Sequence, residues 1–171
     1  MNINETPVAN GSFGAVYKAK FKLLDVAVKR FNFNYNTIPD EKLDLIMQEY
    51  NIMKKLQHEN ITKVYGLALH EKCLSIVMEL ADRGALLDFV ENPEFRSNLK
   101  RQLGTLHDVA RGMQYLHDNS ILHRDVKPHN VLIFGQAFIA KITDFGESRV
   151  IETKLKSLTK FANFEFSDDR H

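Results

Sequence analysis

Apolar and polar positions change rhythm once along this chain. Over residues 1–80 the apolar positions come in short β-type runs around one helical pattern. AVYKAKF (15–21) and DVAVKRF (25–31) flank the short connector KLLD (22–25), which reads as a hairpin. Asp40 follows Pro39 and opens DEKLDLIMQEYNIMKKL (40–56), in which Leu45, Glu49, Ile52, Met53 and Leu56 fall on one helical face. ITKVYGLAL (61–69) and CLSIVMEL (73–80) read as two further strands. ADRGALLDFV is then a turn running into a short helix. SNLKRQLGTLHDVARGMQYLHDN (97–119) is the clearest helix, with Leu99, Leu103, Leu106, Ala110, Met113 and His117 recurring three and four residues apart. Val109 and Leu116 lie beside that stripe, and so wide an apolar arc expects neighbours on several sides. Two short strand pairs follow, ILH (121–123) with NVLIF (130–134), then AFIAKIT (137–143). No internal repeat or low-complexity linker interrupts the pattern. The prediction is an α+β fold: a sheet with one helix, then a mostly helical part.

Composition adds mainly exclusions. The chain has 171 residues, 44% hydrophobic and 26% charged, which excludes a disordered or collagenous protein. Length alone suggests one domain with a sizeable core. With 23 basic and 22 acidic side chains the formal charge is +1, giving no reason to expect a nucleic acid or a polybasic membrane contact. No apolar stretch approaches the roughly 20 residues that span a bilayer. The start, MNINETPVAN, has neither the charge nor the apolar run of a secretory signal. Cys73 is the single cysteine, so no disulfide framework or thiolate zinc cluster is expected, and a cytoplasmic, reducing compartment is the default.

Four separated segments carry chemistry. Ala9-Asn10-Gly11-Ser12-Phe13-Gly14-Ala15-Val16 is glycine-rich, and glycines let a backbone approach phosphate oxygens closely. A two-glycine turn in a hairpin is also common for purely structural reasons. Lys29 ends the apolar run Val26-Ala27-Val28, a place where a solvent-facing lysine is ordinary. Glu49 stands on the apolar face of the 40–56 helix, and a charge there is costly unless paired. Lys29 is its natural partner, and the pair would hold the ammonium toward a phosphate. The fourth segment is His123-Arg124-Asp125-Val126-Lys127-Pro128-His129-Asn130, followed by Asp144-Phe145-Gly146 at the end of an apolar strand. Asp125, Asn130 and Asp144 are hard oxygen donors of the kind Mg²⁺ prefers.

Taken together and in this order, the segments resemble the eukaryotic protein kinase domain, with its glycine-rich loop, strand lysine, helix glutamate, H-R-D-x-K-x-x-N and D-F-G. His58-Glu59-Asn60-Ile61 is similar to that family's H-P-N-I turn, and the resemblance covers about residues 8 to 150. It implies an α+β two-lobe fold, with an N-lobe over 1–78, a hinge over 79–84 and an incomplete C-lobe over 85–171. It implies ATP and Mg²⁺ as cofactors. Gly11 and Gly14 would cover the phosphates, and Val16, Ala27 and Leu132 would enclose the adenine. Met78 would stand at the gatekeeper position, before hinge residues Glu79, Leu80 and Ala81. Lys29, held by Glu49, would contact the α- and β-phosphates. Asp125 would accept the substrate proton, Lys127 would neutralise the transferring phosphoryl group, and Asn130 and Asp144 would hold the metal. Lys127 matches the serine/threonine pattern. Val64, Met53, His123 and Phe145 occupy the positions of the apolar stack that links the lobes. Arg124 would bind a phosphorylated residue, for which Ser148, Thr153, Ser157 and Thr159 are the available hydroxyls. VMELADRGALL and KPHNVLIF…FIAKITDFG resemble the tyrosine-kinase-like group, nearest its Roco or leucine-rich-repeat kinases.

Two features depart from the pattern. Ala9 takes the first glycine position, which predicts looser phosphate coverage. After Asp144-Phe145-Gly146 the chain runs through SLTKFANFEFSDDRH, where Ala162-Asn163-Phe164-Glu165-Phe166 faintly matches the family's G-T-x-x-Y and no A-P-E follows. The expectation is therefore a kinase domain truncated after the activation segment, with part of the 97–119 helix exposed and self-association through that face. Three readings follow: a protein serine/threonine kinase in intracellular signalling, acting on protein substrates; an ATP-binding, non-catalytic pseudokinase-like fragment that works by binding proteins; or a product without independent function.

Overall fold

Alternating burial along the first half builds a twisted antiparallel sheet. The structure, a computed structural model, describes residues 2–11 and 14–151. Five strands, β1 (Asn2–Gly11), β2 (Gly14–Phe21), β3 (Leu24–Asn34), β4 (Val64–His70) and β5 (Cys73–Glu79), pair antiparallel in the order β1-β2-β3-β5-β4. The predicted hairpin is the β2–β3 pair, closed at Phe21 opposite Leu24 by Lys22 and Leu23. Ala27, Phe31, Leu74, Ile76 and Met78 line one face of the sheet, and Ala19, Val26, Val28 and Val77 line the other.

Helix α1 (Asp40–Met53) lies against the first of those faces through Ile46. Asp40 and Glu41 in its first turn complement the positive end of the helix dipole. The helix ends three residues short of the expected 56, and Leu56 is buried in the loop beyond it. Its buried positions are Ile46, Glu49, Ile52 and Met53, whereas Leu45 is 40% exposed. Residues 45 and 46 both stand at helical spacing from 49, and packing selects Ile46.

The second half holds α2 (Leu87–Val90), α3 (Pro93–Arg96), α4 (Leu99–Asp118), β6 (Ile121–Leu122), β7 (Val131–Phe134), β8 (Ile139–Ile142) and β9 (Arg149–Val150). The expected pairing of 121–123 with 130–134 is corrected here. β7 pairs with β8, and β6 pairs with β9. A turn containing Gly135 (φ 64°) and Phe138 (φ 60°) joins β7 to β8, and so short a loop is cheap to close.

The face that α4 buries also differs from the expected stripe. Leu99, Leu103 and Leu106 are 65%, 57% and 64% exposed, and Ala110 and His117 are exposed as well. Thr105, Gly112 and Leu116 are buried instead, with Val109 and Met113 packed beside them. Gly112 decides this choice. A Cβ there would lie 2.8 Å from the Asn60 carbonyl oxygen and 2.9 Å from Ile142 Cδ1, so only glycine permits the close approach of α4 to β8. Asn60 is 1% exposed and donates from Nδ2 to the Ala140 carbonyl at 2.9 Å, while Ala140 N–H donates to Asp108 Oδ2 at 2.9 Å. Ile52, Met53 and Leu56 then share one apolar cluster with Leu116, Ile121, Ile142 and Phe145, joining the sheet half to the helical half. No described helix is long and apolar enough to cross a membrane.

Gly112→Ala is expected to destabilise the protein by about 1–3 kcal/mol through overpacking. Gly104→Ala in the same helix, where nothing lies within 4 Å of the added carbon, is expected to stabilise it by up to about 1 kcal/mol. Urea denaturation of both variants checks the pair.

Candidate active site

Four places in the fold supply two sets of charges: the middle of β3, the middle of α1, and the loops that follow β6 and β8. Lys29 stands on β3 opposite Val16 of β2 and Ile76 of β5. Its Nζ donates to Glu49 Oε1 at 2.6 Å and to Asp144 Oδ1 at 2.9 Å. Glu49 is 5% exposed, so the expectation that a charge on the buried helix face needs a partner is met by the lysine named for it. Burial pulls the Lys29 ammonium down, but Glu49 and Asp144 outweigh it and hold it above its ordinary value. Burial pushes the Glu49 carboxyl up, against the attraction of Lys29.

The loop after β6 presents a second set. Asp125 Oδ2 accepts from Lys127 Nζ at 2.7 Å and from Asn130 Nδ2 at 2.8 Å, and Asn130 Nδ2 also reaches the Asp125 carbonyl at 2.9 Å. The Lys127 hydrogen bond, helped by Asn130, holds the Asp125 carboxyl below the usual range, and Asp125 in turn raises Lys127. His123 is fully buried. Burial lowers it, and its contacts are those of a neutral ring: Nδ1 accepts from Asp125 N–H at 3.3 Å, and Nε2–H then donates to the Thr143 carbonyl at 2.9 Å. Its ring meets Phe145 edge-on with centroids 4.9 Å apart. Met53 and Phe145 share an apolar cluster against which Val64 packs, so the expected stack is contiguous.

Asn130 Nδ2 donates to Asp125 twice, which leaves its side-chain oxygen outside those bonds, and Asp144 is partly exposed with only Oδ1 engaged by Lys29. An amide oxygen and a carboxylate oxygen are hard donors of the kind that would suit Mg²⁺. The described residues hold no cluster of three or more His, Cys, Asp or Glu side chains able to bind a metal without such help.

The apolar residues named for the adenine come from both halves. Ala27 is paired with Met78 across β3 and β5, and Val16 and Leu80 pack against the same cluster. In the other half Leu132 bridges to Ala85 and sits opposite Lys141. The backbones of Leu80 and Ala81 make no hydrogen bond to the described residues. Gly11 faces Gly14 at the end of the β1–β2 pair, and Ser12 and Phe13 between them lie outside the described residues. Gly14 has a structural reason of its own, since a Cβ there would lie 2.1 Å from the Arg30 carbonyl oxygen. Ala9 is paired with Val16 in the strand and is not among the positive-φ residues, so the looseness expected from alanine has no backbone basis there. A cavity of about 630 Å³ between the first half of α4 and the β7–β8 turn contains none of these residues. Convergent chemistry marks this site, and cavity size does not.

Among the hydroxyls expected to be open to modification, Ser148 is corrected. It is fully buried, and its Oγ donates to the His123 carbonyl at 3.2 Å. Arg124 is exposed at φ 72°, and Thr153, Ser157, Thr159 and 162–166 lie outside the described residues. Motif spacing missed Lys141, whose Nζ pairs with both oxygens of Glu79 at 2.8 and 2.7 Å. A lysine inside the apolar run AFIAKIT was the available signal, of the same kind that Lys29 gives.

Comparison with known proteins agrees with the geometry. A family model described as protein tyrosine and serine/threonine kinase matches residues 3–165. The chain is similar to a Dictyostelium discoideum protein named probable serine/threonine-protein kinase gdt4, with 34% identity over 88% of the chain and 9% of that protein. It is similar to MAP kinase kinase kinase SSK2 of Saccharomyces cerevisiae, with 34% identity over 91% of the chain and 10% of that protein. It also matches serine/threonine-protein kinase CTR1 of Arabidopsis thaliana, with 37% identity over 88% of the chain and 18% of that protein. The chain thus spans less than a fifth of the length of each.

Lys29→Met would leave Glu49 buried without its counter-charge and push its carboxyl further up. A carboxyl raised in the folded state favours folding below its unfolded value and loses that advantage as pH rises through the folded one. The variant is expected to lose about 3 kcal/mol near pH 8 and less near pH 5, read by urea denaturation at the two pH values.

Proposed function

Because the chain belongs to the protein tyrosine and serine/threonine kinase family, we propose that it transfers the terminal phosphoryl group of ATP to serine or threonine hydroxyls of protein substrates in intracellular signalling. The observation that carries this reading is Lys29 held between Glu49 and Asp144, beside Asp125 with its carboxylate joined to Lys127 and Asn130.

Each residue then has a task. Lys29 binds the α- and β-phosphates, and Glu49 keeps its ammonium from wandering. Val16, Ala27, Met78 and Leu132 form an apolar slot for adenine, and the backbone groups at Leu80 and Ala81, next to Glu79, which make no hydrogen bond to the described residues, receive its polar edge. Gly11 and Gly14 bring backbone over the phosphates. Asp125, held ionised by Lys127, orients the substrate hydroxyl and takes its proton. Lys127, already at that carboxylate, also faces the charge that develops on the phosphoryl group. Asn130 and Asp144 would hold Mg²⁺, which would offset the negative charge of the phosphates. The protein supplies positioning and electrostatics, with little covalent chemistry of its own. The lobe limits proposed with this reading are 1–78, a hinge over 79–84, and 85–171. A cytoplasmic setting is part of the same proposal.

Mg²⁺-dependent phosphate transfer from ATP to a generic basic protein is the test. Asp125→Asn is expected to reduce transfer by about 10²- to 10⁴-fold, and Lys29→Met to abolish it over background. Stabilisation by ATP without transfer, worth about 2.7 kcal/mol at a hundredfold excess over Kd, would favour the ATP-binding, non-catalytic reading instead.

The exposed leucine stripe of α4 supports a second proposal, association of copies of the chain through that face. Sedimentation velocity is expected to show concentration-dependent association that Leu103→Lys with Leu106→Lys removes. A monomer at all concentrations would end this idea.

A further inference from the structure

Two ion pairs among the described residues have both side chains less than a fifth exposed. Lys29–Glu49 is one, with 19% and 5% of the side chains exposed, and Lys141–Glu79 is the other, with 17% and 16%. The phosphate-binding task accounts for the first. Nothing in that task uses the second, yet removing two charges from water costs more than their attraction returns unless geometry and extra hydrogen bonds are good.

Here they are good. Lys141 Nζ donates to both Glu79 oxygens at 2.8 and 2.7 Å and lies 4.6 Å from the Phe134 ring centroid. Glu79 Oε1 also accepts from Lys63 N–H at 2.7 Å, while Glu79 N–H donates to the Lys63 carbonyl at 2.9 Å. Glu79 ends β5 directly after Met78, and Lys141 sits in β8 opposite Leu132. The pair therefore spans from the strand carrying one wall of the apolar slot to the hairpin carrying the other. Further along, residues 82–86 are tied to the same hairpin. Gly135 N–H donates to Asp82 Oδ1 at 2.8 Å, Ile133 N–H to the Gly84 carbonyl at 2.9 Å, and Leu86 N–H to the Val131 carbonyl at 2.8 Å. Leu80 and Ala81 are thus suspended between two fixed ends, with their own backbone groups uncommitted.

We infer that Lys141 is a positioning residue for the nucleotide: through Glu79 it sets the separation between the Ala27–Met78 wall and the Leu132 wall. This rests on the slot being the adenine site. An apolar contact alone permits the walls to slide, whereas a bidentate ion pair fixes a distance and a direction.

The test titrates a fluorescent ADP against the 171-residue chain and its Lys141→Met, Glu79→Gln, doubly substituted and Lys141→Arg forms, with steady-state phosphate transfer and amide hydrogen exchange alongside. Expected in Lys141→Met are a roughly tenfold to hundredfold weaker ADP affinity and a matching rise in KM for ATP, with kcat within about twofold. The double variant is expected to be no worse than the worse single one, and Lys141→Arg to restore most of the affinity. Exchange at the Lys63 and Glu79 amides should rise in Lys141→Met and fall back in Lys141→Arg. Faster exchange with unchanged ADP affinity would overturn the inference, leaving a structural pair only. Unchanged exchange and unchanged affinity would overturn it as well. If the unsubstituted chain binds no ADP, the adenine reading itself fails and the positioning role falls with it, and the exchange data still show whether the pair holds the strand to the hairpin.

Discussion

A lysine ammonium that cannot reach bulk water except beside two carboxylates fixes how this molecule is put together. Lys29 lies on a strand with buried residues on both faces, so its head must find anions within the length of its stem. Glu49 supplies one from a helix face that is otherwise apolar, and this sets the rotation of α1 about its axis: the turn that buries Ile46, Ile52 and Met53 is the turn that aims Glu49 at β3. Asp144 supplies the other from a turn more than a hundred residues away, held at φ 61°. Three elements distant in sequence are therefore located by one point charge. Of the three groups only Glu49 is buried outright, so it is the one left most poorly solvated when the lysine is removed.

The remaining structure makes that meeting point reproducible. The 58–62 loop, α4 and β8 are locked by Gly112, Asn60 and the Ala140–Asp108 bond, which places the end of β8 and hence the turn containing Asp144. His123 braces the same turn from the other side, through Thr143 and the ring of Phe145. Because the histidine is buried and neutral, its two nitrogens have opposite jobs, one donating to the strand end and one accepting from the Asp125 amide. The loops bearing Asp125 and Asp144 are in this way referenced to a common ring.

How far this was legible in the sequence differs by residue. Lys29, Glu49, Asp125, Asn130 and Asp144 stood out through the joint occurrence of their motifs in order, each being ordinary alone, and the structure brings them together in two hydrogen-bonded sets. Strand and helix order was legible for the same reason, through period. The buried face of α4 was not, because two apolar arcs have nearly equal claims and only the clearance at Gly112 separates them. The pairing of β6 with β9 was hidden too, since a two-residue strand carries no period and its partner lies well along the chain. Lys141 was not legible, because it belongs to none of these motifs and its partner Glu79 lies 62 residues away in sequence.

The two halves are joined by contacts of two physical kinds, and their division explains the site. At the back, Ile52, Met53 and Leu56 meet Leu116, Ile142 and Phe145 in an apolar cluster whose strength scales with area and hardly with angle. Toward the front, Lys29–Asp144 and Glu79–Lys141 cross from the sheet to the strand and turn of the other half, each defining a distance to a few tenths of an ångström. An apolar joint supplies cohesion without fixing orientation, and directional charge pairs fix orientation at little net gain in stability. The segment formed by Leu80 and Ala81, whose backbone makes no hydrogen bond to the described residues, follows directly on Glu79 and is held at its start by the second of these pairs.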